Sequence, residues 1–458
     1  MNVVLINTYE LGRQPFGLAS PAAWLKERGA AVTCVDLAVQ PLDGTAVASA
    51  SLIAFYLPMH TATRIATRIV GQVRQINPTA HLCFYGLYAP VNEGFLRKLG
   101  ADTILGGEFE EGLCSLVERL GANGSPQRQE QPEPVISLAR QRFMPPDRSG
   151  LPGLDHYAAL VLGEDRRTVG YTEATRGCKH LCRHCPIVPV YKGSFRVVQR
   201  EVVLADIRQQ VEAGARHITF GDPDFFNGPT HALSIVRDLH QEFPDVTYDV
   251  TIKVEHLLKH ASQLPALKET GCLFVTSAVE SIDPVILEIF DKGHTREDFI
   301  QVVSRFREIG LALNPTFVTF TPWTTPGGYL DLIKLLLDLD LVDNIAPIQF
   351  AIRLLIPAGS RLLELPSAQE LVGDFDEQGL CYPWAHPDPR VDRLHRDVLA
   401  SVQEGQAAGE CRRAIFRRVW KLAHEAYEDK IFELSAVSEL DQAPPRSSIP
   451  YLTEPWYC

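Results

Sequence analysis

The chain has 458 residues, 45% hydrophobic and 22% charged, which suits two or three folded domains and excludes wholesale disorder. A net charge of −12 argues against a generic nucleic-acid coat or an anionic-membrane protein. No segment reaches the ~18 apolar residues of a bilayer span, the start has no basic leader, and the ten cysteines are scattered except for one tight trio, so a reducing, cytoplasmic setting is expected.

Along the first 120 residues, apolar runs at 3–7, 31–37, 52–57, 81–86 and 103–107 alternate with amphipathic stretches at 20–28, 61–76, 91–99 and 110–120. Buried strands joined by crossover helices predict an open doubly wound sheet. Such sheets bind ligands beyond the carboxyl ends of their strands, here the loops 8–17, 58–60, 87–90 and 106–110. Residues 121–150, rich in Gly, Pro, Gln and Arg, read as a linker with few core contacts. A second series follows, with strands at 168–174, 217–220, 246–254, 272–279, 312–320 and 345–356. Helices are predicted between them at 201–213, 232–241, 284–290, 296–309 and 330–339. Six strands with crossovers predict a partial TIM-like (β/α)6 barrel over 151–360, with its chemistry where the strands end. Residues 361–458 read as a helical region and tail. Arg412, Arg413, Arg417 and Arg418 mark the polar face of one helix, either simply solvated or contacting phosphate or nucleic acid.

The sharpest signal is Cys178, Cys182 and Cys185, spaced CxxxCxxC directly after the first barrel strand. Thiolates suit iron–sulfur clusters and zinc. A cubane cluster held at three corners leaves its fourth iron open to a substrate or cosubstrate. The alternative is structural zinc completed by His180 or His184, which would make the protein a non-catalytic binding module.

The trio resembles the signature of the radical S-adenosylmethionine (SAM) superfamily, CxxxCxΦC, in which Φ is usually aromatic and here is His184. The resemblance implies that Cys178, Cys182 and Cys185 hold a 4Fe–4S cluster whose open iron chelates the amino and carboxylate groups of SAM. It implies reductive cleavage of SAM to a 5′-deoxyadenosyl radical, with electrons from a low-potential donor such as flavodoxin or ferredoxin. Later strand ends supply matching groups. Gly221, Asp222 and Asp224 resemble the second-strand motif for the SAM amino group, although the same residues also form turns. Lys253 shares a strand face with Glu255, facing SAM or forming a rim ion pair. Glu280 and Ser281, followed by Lys292, Gly293 and Thr295, resemble the family's GVES…NKG.T pattern and are candidate ribose contacts. His184 offers a ring for adenine, and Arg353 a planar anchor at the sixth strand. The resemblance spans residues 145–365. It implies a small-molecule or peptide substrate and assigns no catalytic side chain.

A doubly wound domain over 1–120 ahead of such a barrel resembles the cobalamin-binding subclass, with Gly106, Gly107, Glu108 and Glu110 in its closing GE.E stretch. No Asp-x-His-x-x-Gly occurs near residues 8–20, so either cobalamin binds without a histidine ligand or the fold persists without it. With cobalamin the implied outcome is methyl transfer; without it, C–H abstraction followed by rearrangement or bond formation. Methylthiotransferases share the architecture but carry a second cluster on N-terminal cysteines. Cys34 and Cys83 fall inside strands and Cys114 on a helix, and they read as packed core thiols. The end of the chain, with Glu454, Pro455 and Cys458, resembles the radical SAM group with a CCAEP- or CUAEP-type tail. Cys458 is therefore either an active-site tail thiol or an incidental cysteine.

Overall fold

A computed structural model describes residues 1–121, 132–427 and 449–454. The first alternating series folds as its periodicity predicts. Strands β1 (Asn2–Asn7), β2 (Ala31–Asp36), β3 (Leu52–Tyr56), β4 (His81–Tyr85) and β5 (Thr103–Gly107) form a parallel sheet. The five residues of β3 are all buried, because helices cover both faces of a parallel sheet. Neighbouring residues split between two cores by the strand period of two. Leu5 and Tyr85 pack on one face with Leu18 and Leu113, whereas Ile6 and Phe84 pack on the other with Phe55 and Val70. The strand order β2-β1-β3-β4-β5 reverses direction between β1 and β3, which fixes a ligand crevice at the loops following those two strands.

The 121–150 segment holds more structure than its composition suggests. Ile136–Ser137 forms β6 and extends the sheet beside β5. Phe143 enters the barrel core. The Arg148 guanidinium donates to Asp206 Oδ1 at 2.7 Å, to the Tyr171 carbonyl at 2.6 Å and to Gln14 Oε1 at 2.7 Å. The expectation of few core contacts is thus corrected for residues 132–150. Their anchorage is one aromatic ring, a short strand and a buried cation, none of which produces a hydrophobic run.

The second unit is a half-barrel in the order β14-β13-β12-β11-β8-β7-β15. Its parallel members are β8 (Asp165–Thr172), β11 (His217–Phe220), β12 (Thr247–Thr251), β13 (Cys272–Glu280) and β14 (Ala312–Phe317). A hairpin puts β7 (Ala159–Leu162) antiparallel to β8. A separate ribbon of β9 (Thr175–Gly177) and β10 (Phe195–Val197) brackets the cysteine loop. The predicted sixth strand at 345–356 does not form. Pro347 opens a 3₁₀ turn over Pro347–Phe350, and only a Phe320–Arg353 bridge marks the sixth position. Proline fixes φ and has no N–H for the ladder. The C-terminal helices Pro389–Ala407 and Arg412–Tyr427 bury Val398, Val402, Phe416 and Val419 in the barrel core. The exposed edge of β7 is covered by β15 (Tyr451–Leu452), which pairs with it antiparallel. Among the described residues, no helix is long and apolar enough to cross a membrane.

Candidate active site

Strand β9 feeds the cysteine loop through Gly177, whose φ is +74°. A Cβ there would lie 2.3 Å from the Tyr191 ring and 2.6 Å from the Ser194 carbonyl, so only glycine fits. Cys182 is buried, and Cys178 and Cys185 are half-buried. A single zinc ion, with bonds of about 2.3 Å to each sulfur, would draw its ligand sulfurs to within about 4 Å of one another. Among the described residues, the only three His, Cys or carboxylate ligand atoms within 4.8 Å of one another belong to Cys178, His180 and Asp224. Only one of the three cysteines takes part. The three thiols are therefore not gathered as one zinc ion would need, and a donor set of three thiolates in one loop suits a cubane cluster.

Two polar hubs flank the loop. In the first, Asp224 is 1% exposed and lies 2.6 Å from His256 Nδ1 and 3.5 Å from His180 Nε2. Burial pushes its carboxyl pKa up, but the neighbouring His180 and His256 imidazoles outweigh burial and hold it below the ordinary value. Lys253 Nζ sits 3.1 Å from both His180 Nδ1 and Glu255 Oε2. In the second hub, Glu280 ends β13 at φ +67°, a left-handed conformation that a non-glycine residue adopts at a cost. Its carboxylate meets His184 Nε2 at 3.2 Å and Lys292 Nζ at 3.6 Å. Against burial, the Lys292 charge and His184 bring the Glu280 pKa down to about 2. The His184 ring stacks on Phe290 at 4.4 Å. His184 Nδ1 and both ring nitrogens of His294 are buried without a partner among the described residues. Such unsatisfied groups call for a polar ligand, which fits a molecule with SAM's amino, carboxylate and ribose groups.

Other sequence candidates have different surroundings. Asp222 accepts from Thr175 Oγ1 at 2.5 Å and the Ala174 N–H at 2.9 Å, so it braces the entry to the cysteine loop. Burial pushes its pKa up to about 6. Gly221 gives room to Tyr171, whose hydroxyl would lie 1.8 Å from a Cβ. Ser281 Oγ accepts from the Asp283 N–H at 3.1 Å. Arg353 is drawn away from the mouth. It donates to Asp392 and to the Trp384 carbonyl, each at 2.8 Å, and lies 3.5 Å over the Trp384 ring, pinning the C-terminal region. Cys458 lies outside the described residues. Sequence reading considered His180 only as a zinc ligand and gave no part to His256 or His294. His180 lies inside the cysteine motif and His294 beside Gly293, so motif position was the available signal.

Across from the mouth, a cavity of ≈ 200 Å³ occupies the crevice after β1 and β3, with Glu10, Tyr56, Met59 and Phe109 on one side and Glu173 and Arg176 on the other. Arg176 is 6% exposed and reaches three carboxylates, Glu110 at 2.7 Å, Glu173 at 2.8 Å and Glu108 at 3.4 Å. Glu110 also accepts from Ser20 and Gln141, and these bonds with Arg176 outweigh burial and hold its pKa down. The other two acids exceed what one cation can balance, and burial pushes Glu108 and Glu173 each up to about 7. A raised carboxyl pKa contributes stability below the unfolded value, and that contribution is lost as pH rises through the folded value. The interface should therefore loosen between about pH 5 and 8. Hydrogen-exchange protection of 103–110 and 172–177, corrected for the intrinsic pH dependence of exchange, should fall over that window, and Glu173→Gln should flatten the dependence.

Residues 172–336 match the model of the radical SAM superfamily. That stretch is a radical SAM domain, a catalytic unit that works with a 4Fe–4S cluster and SAM. An uncharacterized methyltransferase of Pyrococcus horikoshii is 26% identical over 385 residues, which are 78% of this chain and 79% of that one. Among solved structures, the cobalamin-dependent SAM radical enzyme OxsB, with aqua-cobalamin and SAM bound, is similar at a TM-score of 0.67 and 16% identity, over 88% of this chain and 67% of that chain. The radical SAM methyltransferase TsrM from Kitasatospora setae, with cobalamin and a [4Fe-4S] cluster, matches at 0.56 and 17% identity, over 74% of this chain and 70% of that chain. The α/β sheet followed by a curled half-barrel is the fold that these enzymes share.

Proposed function

We propose that this protein is a radical SAM methyltransferase of the cobalamin-dependent kind. The observation that carries the reading is the apposition of a three-thiolate loop at the half-barrel mouth with a switch-point crevice in the preceding domain. The working division is 1–120 for the crevice domain, 121–150 for the linker, 151–360 for the barrel and 361–458 for the C-terminal region. Cys178, Cys182 and Cys185 would hold the cluster. Glu280, Lys292, His184 and His294 would receive SAM, with Asp224 and Lys253 fixing the opposite wall. A reductant such as flavodoxin or ferredoxin would supply electrons.

The crevice lies at the topological switch point, the place where such a domain would hold cobalamin, and aromatic residues including Phe16, Tyr56 and Phe109 line it. Its ≈ 200 Å³ is below the roughly 300 Å³ of even a drug-sized pocket and far below what cobalamin occupies, so the walls of the crevice would have to part before cobalamin could enter. Bound there, cobalamin would supply methyl-carrying chemistry beside the barrel mouth. The chain's own part is to shield that space from water and hold Glu10, Glu173 and Arg176 around it. Cys34, Cys83 and Cys114 are buried in strand and helix packing, which does not favour a methylthiotransferase.

Anaerobic reconstitution with iron and sulfide tests the reading. The expected result is a broad visible absorption bleached by dithionite, reductive SAM cleavage, and S-adenosylhomocysteine formed only with added cobalamin. Protein that keeps zinc, takes up no iron and leaves SAM intact would overturn it. Tyr56→Ala should tighten cobalamin binding, followed by absorbance, by about tenfold, or ~1.4 kcal/mol.

A further inference from the structure

Inside the half-barrel lies a second cavity, of ≈ 190 Å³, which begins at Gly221 and Asp222 and runs down past Asp249, Thr276, Asn314 and Gln349. Its open side is closed by Tyr451, Leu452 and Glu454 of the tail, and by Arg412. Each carboxylate on this wall is satisfied. Asp222 is bonded to Thr175 and the Ala174 N–H. Asp249 meets His217 at 2.9 Å and Thr219 at 2.6 Å. Glu454 pairs with Arg13 at 2.8 Å.

Arg412 differs. Its Nη1 donates to the Asp343 carbonyl at 2.5 Å, and its guanidinium lies 5.1 Å from the Tyr451 ring centre. Among the described residues no carboxylate pairs with it; the nearby Asp343 carboxylate is bound by Arg413 at 2.6 Å. It also opens the helix Arg412–Tyr427, whose first turn contains no acidic residue. A cation at a helix N-terminus opposes the helix dipole. Burial pushes its pKa down, so the charged form is held at a cost. Across the cavity, Asn314 Oδ1 is buried without a partner. Gln349 Oε1 accepts from the Phe317 N–H, which leaves its amide nitrogen available.

We propose that this cavity is the substrate site and that it takes a small, hydroxylated molecule bearing one carboxylate, with the carboxylate on Arg412 and the hydroxyls on Asn314, Gln349 and Thr276. One planar guanidinium balances one carboxylate and matches its two oxygens, whereas a phosphate would leave charge uncompensated. At ≈ 190 Å³ the cavity is smaller than a drug-sized pocket, which excludes a bulky polymer inside it. The assignment rests on the radical SAM reading for the reaction that follows, but not for binding.

The test is calorimetric titration of the anaerobic, cluster-loaded protein with glycerate, glycerol and inorganic phosphate. Glycerate should bind, and neutral glycerol should bind at least about tenfold more weakly, the size of one charge-assisted hydrogen-bonded contact. Arg412→Gln should lose that difference, whereas Arg412→Lys should retain part of it. Asn314→Leu, which leaves Arg412 in place, should weaken both glycerate and glycerol. Equal binding of glycerate and glycerol, preference for phosphate, no binding of glycerate, or an unchanged glycerate affinity in Arg412→Gln would each overturn the proposal. SAM cleavage without substrate, measured in the same samples, reports on the radical SAM reading separately.

Discussion

Alanine at Cys178, Cys182 or Cys185 should each lower reductive SAM cleavage by about a thousandfold or more, equivalent to ~4 kcal/mol on the barrier. In the proposed site the loop would supply three sulfurs for three cluster corners, and four of the other cysteines are locked in packing and cannot replace a lost one. Cys34, Cys83, Cys114 and Cys272 are all buried in packed strands or helices. Iron content should fall with activity, while far-UV circular dichroism should change little, because β9 and β10 hold the loop ends independently of the metal. Asp224→Asn makes a useful contrast. It removes the charge between His180 and His256 but no cluster ligand, so iron should stay near full occupancy while SAM affinity weakens. A cysteine variant that retains full iron and full SAM cleavage would remove that residue from the cluster.

Arg176→Met is expected to be the most damaging single change to stability, at about 3–5 kcal/mol, because removing one partner of a buried ion pair leaves charge uncompensated. Here three carboxylates lose their shared cation at once. Phe16, Phe109 and Phe143 also lose the guanidinium packed within 6 Å of their rings. The urea midpoint should fall, and protease sensitivity should rise first between the crevice domain and the barrel. Arg176→Met combined with Glu110→Gln and Glu173→Gln should recover part of the loss, since fewer buried acids then lack a partner. A wild-type midpoint in the single variant would show that these carboxylates are already neutral when the protein folds.

Much of this architecture was legible in the residues. Strand periodicity gave the doubly wound sheet, since its apolar runs are continuous and its crossovers long enough for helices. The spacing of Cys178, Cys182 and Cys185 and the order of Gly221, Glu280 and Gly293 after them marked the radical SAM half-barrel. The 345–356 segment misled because its apolar residues resemble a buried strand, while Pro347 bends it into a 3₁₀ turn. Arg353 misled because its partners, Asp392 and Trp384, come from a region whose folding no local pattern announces. The crevice network was invisible for the same reason. Glu108 and Arg176 are 68 residues apart in sequence, and only the packing of two units reveals that they share a charge.

That shared charge has a thermodynamic corollary. Arg176 stands two residues before Cys178, and Glu108 and Glu110 stand on the opposing unit, so both sites draw on one set of contacts. Free-energy linkage is symmetric. If filling the crevice strengthens SAM binding by a given ratio, SAM must strengthen the crevice occupant by that same ratio. Two titrations, each performed with and without the other compound, would therefore yield one number measured twice, and with Arg176 replaced the two ratios should shrink together toward unity.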